Sequence, residues 1–112
     1  MPNVTADFFE ALRRRGPEPL LGKVRGSLRF ELTNGGRERW LVSIDGGNLT
    51  VSRRSGKADC IVRARKEVFD RIADGTKNAM AAMLRGELVV EGDPAVMVRF
   101  QRLLPSPPEP LQ

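Results

Sequence analysis

Apolar residues recur at helical spacing near the start of the chain and at alternate positions from residue 26 onward. The first segment, residues 5–15, predicts a helix with Thr5 as its N-cap. Three consecutive arginines at its C-terminal end suit the negative end of the helix dipole. We expect the apolar face of this helix to pack inward through Phe8, Phe9 and Leu12.

Alternation of apolar and polar residues then predicts three strands joined by two tight turns. The first strand begins at Gly26, the second contains Trp40, and the third covers residues 48–53. Each turn holds a Gly-Gly pair, because glycine adopts the positive φ that tight hairpins require. A fourth strand, residues 58–65, places Cys60 on the inward side, where a buried and unreactive thiol is the favoured interpretation.

Helical spacing returns after the fourth strand. Residues 66–74 and 79–85 predict two helices, residues 87–91 a fifth strand, and Asp93-Pro94 the start of a last helix. The predicted inward faces of these three helices consist of Val68, Phe69, Ile72, Met80, Met83, Leu84, Val96, Met97, Phe100, Leu103 and Leu104. This order of elements favours an α+β fold in which helices cover one face of a mostly antiparallel sheet.

The length of 112 residues suits one domain with one core. We expect residues 1–104 to form that domain and the proline-rich residues 105–112 to be a disordered tail. The chain has no apolar run of the length that spans a bilayer and no secretory signal, so we expect a cytoplasmic location.

The composition argues against catalysis. The chain contains no histidine and a single cysteine. Histidine is the commonest general acid–base group and the commonest metal ligand, so its absence removes serine–histidine and cysteine–histidine nucleophiles. One cysteine excludes an internal disulfide and a multi-thiolate metal site. We therefore expect no catalytic residues, no metal and no cofactor.

The chain carries a formal net charge of +5, which favours anionic partners. Four arginines are predicted to point outward from the sheet, at Arg29, Arg39, Arg63 and Arg65. This basic face has three interpretations: a solvated surface, a transient docking surface for acidic membranes, or an anchor for an anionic headgroup. Leu41 and Ile61 point the same way, which leaves a homodimer open as well.

Several motifs in this order resemble the sterol carrier protein type 2 lipid-transfer domain. Phe69-x-x-Ile72-x-x-Gly75-x-x-Asn78 is followed by the string Gly86-Glu87-Leu88-Val89-Val90-Glu91-Gly92-Asp93. The segments 40–46 and 58–62 match at the right separations, so the resemblance covers residues 26–104. The chain departs from the family at Ala79 and Arg85, where proline and glutamine are frequent.

The resemblance implies a sterol-carrier-protein-like, five-stranded sheet in the order 3-2-1-4-5, with helices packed on one face around an apolar cavity. It also implies non-catalytic binding or transfer of a fatty acid, fatty acyl-CoA, sterol or phospholipid in that internal cavity. The methionines suit a pliable wall, although core filling is the alternative interpretation. The ligand-binding residues predicted on this basis are Trp40, Val42, Phe69, Met80, Met83, Leu84, Val96, Met97 and Phe100.

Two other functions remain open at the level of sequence. The first is a protein-interaction or accessory module that has the fold but binds no lipid. The second is a basic nucleic-acid-binding module, which is less favoured. Only five phenylalanines and one tryptophan are present, and their predicted inward placement leaves none for stacking on bases. We therefore expect no nucleic-acid partner.

Overall fold

The computed structural model describes residues 3–15, 17–54 and 56–104, so the predicted tail at 105–112 lies outside the described residues. The elements follow the predicted order. In chain order they are α1 (Val4–Arg14), a 3-10 turn (Pro19–Leu21), β1 (Arg25–Thr33), β2 (Arg37–Asp45), β3 (Asn48–Ser52), β4 (Cys60–Arg65), α2 (Lys66–Ala73), α3 (Ala79–Leu84), β5 (Leu88–Gly92), α4 (Pro94–Phe100) and a second 3-10 turn (Gln101–Leu103).

The first helix begins one residue before the predicted start, and the prediction of Thr5 as its N-cap is wrong. Asn3 is the cap, and its side chain accepts a hydrogen bond from the N–H of Ala6 at 3.0 Å. Thr5 is fully buried, and both its backbone N–H and its hydroxyl donate to Oδ1 of Asp70 on α2. Either residue type can cap a helix, so the contact with α2 decides between them.

The sheet has the order β3-β2-β1-β4-β5, as the resemblance implied. β1 and β2 form an antiparallel hairpin in which Phe30 lies opposite Trp40. β1 also pairs with β4, and this pair is parallel, with Phe30 opposite Val62. The remaining neighbours, β2–β3 and β4–β5, are antiparallel, so the prediction of a mostly antiparallel sheet is confirmed.

An aromatic cluster joins the helices to the inner face of the sheet. The ring of Phe9 from α1 stacks on Trp40 at 4.6 Å between centroids and on Phe69 of α2 at 5.5 Å. Phe30 of β1 contacts both Phe69 and Phe100, which connects α2 and α4 to the same strand. Most predicted inward positions of the strands are buried, because alternate residues share one face of a sheet. Leu49, Ala58 and Ala64 are only partly buried, and Ala58 precedes β4.

The last helix is shorter than its apolar stripe suggested. Asp93 caps it by accepting a hydrogen bond from the N–H of Ala95 at 3.0 Å, and Pro94 occupies the first helical position. The α-helical part ends at Phe100 and continues as the tighter 3-10 turn. Leu103 and Leu104 are nevertheless buried, so the predicted stripe reaches the core through both segments.

Candidate functional site

The predicted ligand-binding residues fall into two groups. Six of them are buried between the sheet and the helices and contribute to one core cluster: Trp40, Val42, Phe69, Val96, Met97 and Phe100. The other three, Met80, Met83 and Leu84, belong to α3 and lie at or near the surface. The structure therefore brings the first six together in the interior and separates them from most of the α3 side chains.

The predicted inward face of α3 is wrong for Met80 and Leu84. Ala79 and Ala82 face the core, whereas Met80 is 40% exposed and Leu84 is 83% exposed. The helix has six residues and packs against β5, so it can bury only one side. The two alanines occupy that side, where their small side chains allow a close approach to the strand.

Met83 lies at the boundary between the exposed side of α3 and the interior. It is partly buried and packs against the core cluster. Its sulfur accepts a hydrogen bond from the side-chain amide of Gln101, with Nε2 and Sδ 3.7 Å apart. Thioether sulfur is a weak acceptor, so the junction between α3 and the end of α4 depends on a weak polar contact and a pliable side chain.

Trp40 is held by polar contacts at the edge of its ring and over its face. Its indole N–H donates to Oε2 of Glu38 at 2.8 Å, and the guanidinium of Arg53 lies 4.4 Å from the centre of its ring. Lys66 Nζ donates to the other carboxylate oxygen of Glu38 at 2.9 Å. Burial alone would raise the pKa of Glu38, but the hydrogen bonds from Trp40 and Lys66 and the nearby positive charges lower it overall.

Cys60 lies on the inward side of β4 and is fully buried, as predicted. Burial raises the pKa of its thiol, and the negative charge of Asp93 raises it further. The thiolate is the reactive form of cysteine, so a raised pKa disfavours reaction at neutral pH. This residue therefore serves packing.

The outer face of the sheet is less basic at its centre than the predicted arginines suggested. Glu31 of β1 is buried there, and its carboxylate lies 3.5–3.6 Å from the guanidinium nitrogens of Arg29, Arg39 and Arg63. The register explains the cluster, since Glu31 lies directly opposite Arg39 on β2 and Arg63 on β4. Sequence reasoning missed this role of Glu31, although its outward position on β1 was a usable signal.

Part of this outer face is covered by the connection between β3 and β4. The guanidinium of Arg29 donates to the carbonyl oxygen of Gly56 at 2.7 Å, and Gly56 lies over Leu41. Leu41 and Ile61 are both partly buried. The homodimer inferred from these two residues stays a prediction, as does docking of an anionic headgroup on the arginines.

The described residues contain neither a group of three acidic or thiol side chains that could hold a metal ion nor a helix long and apolar enough to cross a membrane. One surface groove, of about 560 Å³, lies between the start of α2 and the β1–β2 turn and is lined mainly by polar residues. A second groove of about 520 Å³ lies along α4 and is lined by Pro94, Ala95, Val98, Arg99 and Arg102.

A five-stranded sheet in this order, with aromatic and aliphatic side chains enclosed between it and four helices, defines the sterol-carrier class of α+β domain. Residues 9–105 match the SCP-2 sterol transfer family. The chain belongs to this family, whose domain is generally a non-catalytic, lipid-binding fold. The comparison with curated proteins gives no match.

Solved structures share the fold at low sequence identity. The sterol carrier protein domain 2 of Helicoverpa armigera is 20% identical, with a TM-score of 0.73 over 89% of this chain and 84% of that one. The palmitated SCP2L2 of Aedes aegypti is 17% identical, with a TM-score of 0.66 over 90% of each chain. The sec-alkylsulfatase Pisa1 of a Pseudomonas species is 24% identical, with a TM-score of 0.71 over 88% of this chain but only 16% of the enzyme.

Proposed function

We propose that this protein binds an apolar lipid, with a fatty acyl chain as the preferred class, and carries it without changing it chemically. The proposed site is the apolar interior between the sheet and α3–α4, with Trp40, Val42, Phe69, Val96, Met97 and Phe100 inside and Met80, Met83 and Leu84 at the entrance. Membership of the SCP-2 sterol transfer family supports the lipid class. The palmitate on the mosquito relative supports the acyl chain.

The position of Met83 is the observation that carries this proposal. Its side chain packs against the buried cluster while part of it remains exposed, which supports an entrance for the ligand beside Met83. Met80 and Leu84 extend that entrance outward with apolar surface. A ligand that displaces the Met83 side chain breaks the weak amide–sulfur contact with Gln101 and replaces the packing of Met83 against the buried cluster with its own apolar contacts.

The energetics favour a long acyl chain. Each buried methylene contributes about 0.8 kcal/mol, so a chain of sixteen carbons offers on the order of 12 kcal/mol before the costs of binding. Lost translational freedom and chain ordering remove roughly 4–15 kcal/mol. A ligand with only a few methylenes therefore binds too weakly to be carried.

Substitution of Met83 by tryptophan tests the entrance. The larger ring fills the route that the ligand uses, so we expect palmitate to compete for a bound fluorescent fatty acid at least about tenfold less effectively. Val89→Trp is the control, because Val89 is an exposed apolar residue on the outer face of β5, on the other side of the sheet.

Stability measurements on the same variants distinguish an entrance from ordinary packing. In a tightly packed core an oversized side chain costs about 1–3 kcal/mol, whereas at an entrance the ring adds contacts at no such cost. We expect Met83→Trp without ligand to melt at or above the temperature of the parent protein. A destabilised Met83→Trp protein that binds the fatty acid like the parent contradicts the proposed site.

Native mass spectrometry of protein purified from its own host tests the function as a whole. A mass that exceeds that of the polypeptide by the mass of a co-purifying lipid supports the proposed lipid-carrier function. A bare polypeptide mass, together with no binding of palmitate, sterol or phospholipid, favours the protein-interaction module instead.

A further inference from the structure

We propose that the protein docks on membranes that carry anionic headgroups, through a surface formed by α3 and α4. We call this the α3–α4 surface and define it by Met80, Met83, Leu84, Val98 and Gln101, with Arg85, Arg99 and Arg102 at its rim. The proposal rests on the proposed function, because a lipid that enters beside Met83 would leave the membrane at this surface.

Exposed apolar side chains are concentrated on these two helices. Among the described residues, four large apolar side chains are exposed, and three of them are Met80, Leu84 and Val98, the last at 49%. Exposed leucine, methionine and valine are common singly, but three on two short helices that are linked by the contact between Gln101 and Met83 favour a patch. The fourth, Val89, lies on the outer face of the sheet.

One side-chain contact links the α3 part of the patch to the part at the end of α4. On α3, Met80 and Met83 are three residues apart and therefore neighbours on the helix surface. At the end of α4, Val98 and Gln101 have the same separation. The amide of Gln101 contacts the sulfur of Met83 at 3.7 Å and so joins the two pairs into one surface.

The charges around this patch favour an anionic partner. Arg85, Arg99 and Arg102 are exposed, and none of them forms an ion pair within residues 3–104 as the structure describes them. The nearby acidic groups are engaged: Glu87 pairs with Lys77, and Asp93 caps α4. A second copy of the chain would bring like charges together, so the arrangement favours a lipid surface over a homodimer.

The other strongly basic helix end is less suited to this role. On α1, Arg13 pairs with Glu10 at 3.0 Å and Arg15 pairs with Glu18 at 2.8 Å, so Arg14 is the one exposed arginine of this run without an ion pair among the described residues. The two apolar side chains of α1 that lie deepest, Phe9 and Leu12, are buried in the core. The α3–α4 surface instead offers both exposed apolar area and unpaired cations, the two contributions that reversible membrane binding combines.

Co-flotation with vesicles tests the proposal. The probes are vesicles of phosphatidylcholine alone and of phosphatidylcholine with phosphatidylglycerol at three to one. We expect binding to the acidic vesicles only, and weaker binding as the salt concentration rises. Each arginine near an anionic surface contributes about fivefold, so Arg85→Glu with Arg102→Glu should weaken binding by at least about 25-fold.

Two control variants locate the surface. The double variant Arg37→Glu with Arg54→Glu makes the same charge change at exposed residues of β2 and of the segment after β3, and Val89→Asp places an acid in an exposed apolar position outside the α3–α4 surface. Both should bind acidic vesicles like the parent, whereas Leu84→Asp should bind less. Equal losses in this double control and in Arg85→Glu with Arg102→Glu would overturn the assignment and indicate attraction by net charge alone.

Fatty-acid binding in vesicle-free solution separates this proposal from the proposed function. The double arginine variant should bind the fluorescent fatty acid like the parent, because Arg85 and Arg102 lie outside the proposed cavity wall. A parent protein that binds acidic vesicles but no fatty acid would refute the proposed lipid-carrier function. The same result would still support the proposed docking surface. A parent protein that binds the fatty acid but no acidic vesicles would refute the docking surface.

Discussion

Substitution of Gly92 by alanine tests how closely the end of β5 approaches β4. Gly92 has φ of +89°, a backbone conformation that costs a residue with a side chain about 1–2 kcal/mol. A Cβ at this position would lie 2.4 Å from the carbonyl oxygen of Asp59, which belongs to the backbone and cannot swing aside. The same oxygen accepts the N–H of Asp93 at 2.8 Å, so any shift that relieves the overlap weakens this hydrogen bond.

The expected destabilisation exceeds that from conformational strain. A lost backbone hydrogen bond costs roughly 0.5–1.5 kcal/mol, and the displacement of two paired strands adds to this. We therefore expect Gly92→Ala to lower the free energy of unfolding by about 3–4 kcal/mol, near the upper end of the range for single substitutions. Urea unfolding followed by circular dichroism measures this loss as a lower midpoint at unchanged slope.

Gly35→Ala is the matched control. Gly35 has φ of +71°, but a Cβ added there would meet nothing within 4 Å. This variant carries the backbone strain without the overlap, so we expect it to lose only about 1–2 kcal/mol. Equal losses in the two variants would refute the close approach of β5 to Asp59, and a stable Gly92→Ala protein would refute the geometry of this junction altogether.

Two further predictions concern the polar contacts at Trp40. Because Trp40 is only 2% exposed, its fluorescence should show the blue-shifted emission and weak acrylamide quenching of a sheltered indole, and a red-shifted spectrum would mean that β2 faces the other way. The pKa of Glu38 is lowered in the folded protein from its ordinary value of 4.5, so its contribution to stability is present above that pH and is lost as the pH falls further. Glu38→Gln should therefore lower the free energy of unfolding at neutral pH and make it depend less on pH in the acid range. The control Glu67→Gln, at an exposed residue, should change neither.

The alternation and helical spacing of apolar residues were sufficient to predict the elements and most of the core. Trp40, Val42 and Phe69 were assigned to the interior from spacing alone, and all three are buried. Local patterns suffice here because burial repeats every two residues in a strand and every three to four in a helix. The strand order was predicted from the resemblance, since periodicity does not specify which strands pair.

The tertiary structure decided what depends on partners distant in sequence. Glu31 gathers three arginines only because the register places β2 and β4 beside β1. Thr5 is buried instead of capping because Asp70, 65 residues away, accepts both of its hydrogen bonds. On α3, the alanines pack against β5 and leave Met80 and Leu84 at the surface, although the spacing of the apolar residues pointed to the opposite face. A short helix with apolar residues on more than one side has no unique inward face until the strand it packs against is in place.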